Sequence, residues 1–198
     1  MVATAADYAW FERSFPRLAE AYCLTLVCGL SPPQVLARLG ARTNGPHVTG
    51  IGGLSALDLD TADEQLIAVT VADGGDGGAW ALAVEAGGRV GVTEEAVVAL
   101  SAGTRLVAHQ RDAGGSGRFT WAEDGDVRAA FDPNVPGRRE GSTPDEPLEA
   151  MRAAGFGLDG DERRFHAAFA LAENLTGVRV TSEILETSSF HCGLAPLP

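Results

Sequence analysis

No lysine occurs in this chain; all fifteen of its basic residues are arginine. A Schiff-base lysine and the phosphate-binding lysine of a P-loop are therefore excluded from any mechanism. With the abundance of Ala and Gly, this bias points to a genome of very high GC content more than to a function. Cysteine is scarce too. Cys23, Cys28 and Cys192 are odd in number and lack paired metal-ligand spacing, so no metal site is expected and a reducing, cytoplasmic setting is favoured over an oxidising one. No run approaches the roughly 18 apolar residues of a membrane span, and the N-terminus lacks a basic region followed by an apolar core. A membrane partner is not expected. Positive charge is in deficit, the net charge being -12. That argues against nucleic acid as a partner, because neutralising phosphates needs clustered cations. A phosphate loop, a GxSxG elbow and an HExxH helix are also missing, so the enzyme classes recognisable by motif find no support and no cofactor is expected.

What the chain does contain is a sheet written as alternating strands and glycine-centred turns across residues 79–133. In FTWAEDGDVRAAF, residues 119–131, Asp124-Gly125 lies between two runs that alternate with a period of two, as half-buried strands do. A two-residue loop would pair Glu123 with Asp126 and set Trp121 opposite Arg128, which wastes the apolar face. A three-residue loop over Glu123, Asp124 and a left-handed Gly125 pairs Ala122 with Asp126, placing Trp121 against Val127 and Phe119 against Ala129. Side-chain burial favours the three-residue loop. Upstream, Trp80, Leu82 and Val84 share a strand face, and a loop over residues 86–88 pairs Glu85 with Arg89, Val84 with Val90 and Leu82 with Val92. A helix N-capped by Thr93 and ending near Gly103 leads to a strand over residues 104–111.

Elsewhere, residues 7–17 carry Tyr8, Trp10, Phe11 and Phe15 and read as a short helix or an aromatic clasp. The apolar run 21–27 is strand or helix, which periodicity does not separate. Ser31, Pro32 and Gln34 supply an N-cap, a first helical residue and a capping box for a helix that turns Val35, Leu36 and Leu39 inward and stops at Gly40. Residues 43–57 read as irregular and 65–72 as a strand. DGGDGG at 73–78 lacks the ligand spacing and terminal Glu of a calcium loop. A second capping box, Thr143 with Glu146 around Pro144, opens a helix to Ala154. Residues 161–176 make a longer helix ending at Gly177, and Thr181 opens a last one through Leu185. The tail 188–198 is expected to lie along the domain or fray.

The expected fold is α+β: an antiparallel sheet of about five or six strands built from hairpins, with N- and C-terminal helices packed on its Trp80/Trp121 face. With 198 residues, 45% of them hydrophobic, residues 1–198 are expected to form a single globular domain that buries about 70% of its extended surface.

Several stretches together are similar to a family of actinobacterial proteins classed as a domain of unknown function. They are AYCLTLVCGLSPPQVLARLGA at 21–41, WALAVEAGGRVGVTEE at 80–95, LSAGTRLVAH at 100–109, FTWAEDGDVRAAFDP at 119–133 and ALAENLTGVRVTSEIL at 170–185. The resemblance covers most of the chain and implies no activity, so it assigns no catalytic residue.

The candidate chemistry is sparse. His191 and Cys192 are adjacent, and on an extended segment their side chains point to opposite faces, which is poor geometry for a thiolate and its base. A catalytic pair needs Cys192 joined to His109 or His47 by the fold. Glu85, Glu123, Asp124, Asp126 and Asp132 are carboxylates at turns, where turn chemistry alone accounts for them. His109, Arg111, Arg118 and Arg128 are expected on the sheet face away from the core, with Asp132 nearby. An Arg-lined face of this kind holds an anionic ligand or an acidic partner segment, because a guanidinium fork matches carboxylate or phosphate; the alternative is a solvated face paired with the abundant carboxylates. The function expected from these features is a non-catalytic cytoplasmic interaction module, regulatory or immunity-like, whose partner is a protein or a small anionic ligand. The rival is a cofactor-independent enzyme or small-ligand binder with a pocket between sheet and helices, built from residues such as Trp10, Tyr22, His109 and Trp121.

Overall fold

A computed structural model of the chain describes residues 2–43, 47–56, 63–75, 78–157 and 164–197. Among them are nine strands: β1 (Tyr22–Cys28), β2 (His47–Thr49), β3 (Glu64–Asp73), β4 (Ala79–Ala86), β5 (Arg105–Arg111), β6 (Gly117–Glu123), β7 (Asp126–Phe131), β8 (Arg139–Glu140) and β9 (Ser189–Pro196). They join in one sheet of order β2-β9-β3-β4-β1-β5-β6-β7-β8, every neighbouring pair antiparallel. Seven α-helices accompany them: α1 (Trp10–Ser14), α2 (Pro16–Glu20), α3 (Pro32–Arg38), α4 (Glu94–Ser101), α5 (Leu148–Ala154), α6 (Arg164–Thr176) and α7 (Ser182–Thr187). The α+β class and the antiparallel sheet agree with expectation, and the sheet is larger than the five or six strands expected. Residues 44–46, 57, 76–77, 158–163 and 198 carry parts of the irregular stretch, the DGGDGG turn, the longer helix and the tail, and lie outside the described residues.

Helices cover both faces of this sheet, not one. Tyr22, Leu24, Trp80 and Leu82 face a core shared with Phe11 of α1, Met151 of α5 and Phe169 of α6. Val27, Ala81, Ala83 and Ala108 face the other way, against Val35 and Leu36 of α3 and Val97 and Leu100 of α4. Burial on both faces explains why β1 reads as an unbroken apolar run, and why that run was ambiguous between strand and helix. The capped helices form where their signals stand. Ser31 and Gln34 make the capping box of α3, the Thr93 hydroxyl accepts the Ala96 N–H at the start of α4, and that of Thr181 accepts the Ile184 N–H at the start of α7.

The Trp121 hairpin corrects the expected register. Its loop is the two-residue one, Asp124-Gly125, with φ of 48° and 80°, the positive values that a type I′ turn needs at both positions. Glu123 pairs with Asp126 and Ala122 with Val127, then the register shifts by one, so that Trp121 meets Ala129 and Phe119 meets Phe131. A β-bulge at Arg128 thus restores the apolar face that a regular two-residue hairpin would have lost. The hairpin expected after β4 does not form. β4 lies between β3 and β1, and residues Val90–Val92 curl into a 3₁₀ turn instead. Thr143 and Glu146 do hydrogen-bond, at 2.7 Å, yet they brace a turn and α5 begins only at Leu148. The tail is neither frayed nor peripheral, since β9 is inserted between β2 and β3.

Candidate functional site

The residues expected on one open face are distributed over several. His109 pairs across the sheet with Phe119 and so faces the first core, where it is buried. Arg111, two residues on, shares that face and lies over the Phe165 ring, 4.8 Å from its centroid. Arg118 pairs with Gln110 on the opposite face and reaches Glu140 at 2.6 Å. Arg128, at the bulge, lies over Trp121 and donates to Thr143 at 2.9 Å and Glu146 at 2.6 Å. Asp132 accepts the Asn134 backbone and side-chain N–H groups at 2.8 and 3.0 Å, an Asx turn. Each of these arginines has a carboxylate partner, so they do not assemble into an anion-binding face.

Two of the residues proposed for a pocket do meet. The Tyr22 hydroxyl and His109 Nδ1 lie 3.2 Å apart, both buried. The Phe169 ring closes over them, 4.5 Å from the His109 centroid. Above this pair Glu12 of α1 bridges Arg111 of β5, at 3.5 Å, and His166 of α6, at 3.6 Å. A tyrosine, two histidines, an arginine and a glutamate thus converge from α1, β1, β5 and α6. Trp10 packs away from them on Tyr8, Phe11 and Phe15, and Trp121 lies under Arg128. His166 and Glu12 carried no sequence signal beyond their residue type, because each stands alone on an otherwise apolar or charged helix face.

Burial pushes the His109 pKa down to about 3 and raises that of Tyr22 above the ordinary tyrosine range. His109 is therefore neutral across the physiological range. Its folded pKa is depressed below the 6.5 of an unperturbed histidine, so the unfolded chain binds the proton first. Stability is full above about 6.5 and declines as pH falls toward about 3. His109→Gln, which keeps a hydrogen-bonding partner for Tyr22 but does not titrate, is expected to flatten that decline in urea unfolding measured between pH 4 and pH 7. A wild-type slope retained in the variant would show that His109 stays protonatable in the fold.

Glu85 forms a second buried polar centre, on the opposite sheet face. Its carboxylate accepts the Val90 and Gly91 N–H groups, each at 2.8 Å. The Cys23 thiol lies beside it, kept protonated by burial and by the neighbouring carboxylate. Cys192 faces the first core next to Ala68, whereas His191 faces the other way. His47 stands opposite His191, so the cysteine and that histidine pair are on opposite sides of the sheet.

On the outer side of the helical layer an open groove of about 640 Å³ runs between the N-terminal segment, α5 and α6. Glu146, Glu149 and Glu173 line it together with Val2, Ala150 and Ala153. The segment is strapped down by Ala3 and Asn174, whose backbone and amide groups exchange hydrogen bonds at 2.8 and 3.0 Å. Tyr8 donates to Glu173 at 2.7 Å. The groove escaped sequence reasoning because its carboxylates come from a turn and two helices separated by residues 155–163.

Among the described residues no helix is long and apolar enough to cross a membrane. No curated protein and no solved structure matches this chain. The profile of DUF6461, a family of unknown function, matches residues 1–198, and the chain belongs to that family.

Proposed function

We propose that the chain is a non-catalytic cytoplasmic interaction module, regulatory or immunity-like, that receives a basic segment of a partner protein in the groove beside α5 and α6. The observation that carries this reading is the groove itself. It is open and lined by Glu146, Glu149 and Glu173 beside Val2, Ala150 and Ala153. Glu146 already pairs with Arg128 and Glu173 accepts from Tyr8, so Glu149 is the carboxylate placed to meet a guanidinium or ammonium head whose aliphatic stem packs on the small apolar side chains. The net charge of -12 favours the encounter at low salt. The partner expected here is cationic, whereas the sequence alone suggested an anionic ligand or an acidic partner segment for the arginines.

The test is co-purification from the native cell, with mass spectrometry of proteins and small molecules, comparing wild type with Glu149→Arg. A stoichiometric protein partner recovered with the wild type and reduced at least about tenfold with the variant is expected, since a like charge now faces the basic segment. A partner held equally by both, or a stoichiometric metabolite with no protein, would overturn the reading. The metabolite outcome would favour the second reading, a cofactor-independent enzyme or small-ligand binder. That reading is supported by the convergence of Glu12, Arg111 and His166 above the Tyr22–His109 pair.

A further inference from the structure

The edge of the sheet carries a histidine pair that no motif announces. β2 and β9 run antiparallel with His47 directly opposite His191, followed by Val48 opposite Phe190 and Thr49 opposite Ser189. Phe190 is buried in the first core and Val48 packs against it. Strand alternation therefore turns both imidazoles to the other face. On that face Leu36 of α3 and Ala41 roof Gly193. Beyond the roof, His47 is exposed and His191 half-buried, and the neighbouring Val71 of β3 is 55% exposed. The two rings stand with centroids 4.1 Å apart and planes 68° apart.

We propose that His47 and His191 form a two-imidazole binding site for a divalent late transition-metal ion such as Ni²⁺, Cu²⁺ or Zn²⁺. Two nitrogens bound to one ion at about 2.0–2.1 Å in tetrahedral geometry lie roughly 3.3 Å apart. Rings already in contact across a strand pair reach that spacing by rotating their side chains, with no backbone movement. Imidazole selects these ions over Mg²⁺ and Ca²⁺, which take oxygen ligands. Both rings need to be neutral to bind, and His191 is biased that way by burial and by His47 beside it. The antiparallel ladder holds both ligands on one rigid frame, so the second nitrogen binds at high effective concentration once the first has engaged. Among the described residues no group of three or more His, Cys, Asp or Glu side chains is placed to hold a metal. Coordination positions that the described residues leave unfilled are open to water or to a ligand brought by another molecule. The inference is independent of the acidic groove, which lies on α5 and α6.

The test uses the full chain without a histidine tag. Calorimetric titration with Ni²⁺ is expected to show one ion per chain, and His47→Gln and His191→Gln should each weaken binding at least about tenfold through loss of the chelate. Both variants are to be checked for an unchanged unfolding transition, which is expected because the pair lies outside either core. Electron paramagnetic resonance of the Cu²⁺ form should show superhyperfine coupling from both imidazoles in the wild type and from one in either single variant. Titrations indistinguishable between wild type and the double variant would overturn the proposal. So would thiolate or single-nitrogen coordination in the wild type, or no saturation up to roughly 1 mM ion.

Discussion

Glu85→Ala is expected to destabilise the fold by about 2–5 kcal/mol, the cost of leaving two buried backbone N–H donors without an acceptor. The carboxylate is 2% exposed and is the acceptor for the Val90 and Gly91 N–H groups. Alanine leaves both donors without a partner and opens a hole beside Cys23 and Thr25. Packing there is close in the intact protein: a Cβ on Gly91 would sit 2.2 Å from Thr25 Oγ1 and 3.1 Å from Glu85 Oε1. The turn from β4 to α4 hangs on this carboxylate, so urea unfolding should show a large fall in midpoint. A shift of under about 0.5 kcal/mol, the range of an ordinary surface substitution, would mean the turn is held by something else.

The sign of the pH effect separates charge from shape at this position. Burial raises the Glu85 pKa above its ordinary value, against the opposing pull of the two N–H donors. A carboxylate with a raised folded pKa contributes stability that is complete below the unfolded pKa and is lost as pH rises through the folded one. The stability deficit of Glu85→Gln relative to wild type should therefore be greatest in acid and narrow as pH rises from about 4.5. A deficit that widens with pH would show the ionised form to be the favoured one.

Phe169→Ala is expected to cost about 3–5 kcal/mol, as for other large aromatic truncations in a packed core. The ring lies 4.6 Å from Phe11, 5.1 Å from Tyr8 and 4.5 Å from His109, centroid to centroid. It is thus the piece of α6 that locks α1 and the N-terminal segment onto β1 and β5. Its loss has a second, spectroscopic consequence. Removing the ring opens the Tyr22–His109 pair to water, and the His109 pKa should climb from about 3 toward its ordinary 6.5, because desolvation alone depresses it. Calorimetric unfolding reads the first effect and NMR titration of the imidazole the second. A destabilised variant whose His109 still does not titrate above pH 4 would place the barrier to water elsewhere.

Much of the local structure was legible because it depends on contacts within a few residues. The starts of α3, α4 and α7 are written in Ser31, Thr93 and Thr181, side chains that satisfy donors three residues away. What was not legible depends on partners distant in sequence. The bulge at Arg128 goes with contacts from its guanidinium to Thr143 and Glu146, neither of which the hairpin pattern contains. Period-two alternation on β4 places Trp80, Leu82 and Val84 on one face and does not say what covers Ala81, Ala83 and Glu85. Those alanines admit α3 and α4 at close range, and Glu85 becomes the acceptor for the following turn. Small residues alternating with large ones are a mark of a strand covered on both sides, and this chain repeats it at Ala108 and Ala122. Of the candidate site, Tyr22 and His109 were named but their contact was not derivable, since β1 and β5 become neighbours only through the sheet order.

The insertion of β9 between β2 and β3 dictates an order of assembly. β3 has its β4 partner close by in the chain, whereas its other edge and the whole of β2 wait for residues 189–196. During synthesis the polypeptide therefore carries an unpaired edge on β3, with Ile67 and Val69 along it, until almost the entire sheet has been made. Pairings of such long sequence separation form slowly, and an open edge invites other chains. Gly50, Ile51 and Gly53 sit among the residues that must hold their place meanwhile, next to a strand that does not yet exist. Closure of this side of the molecule cannot precede synthesis of residues 189–196, and the period before it leaves the chain exposed to aggregation or to chaperones.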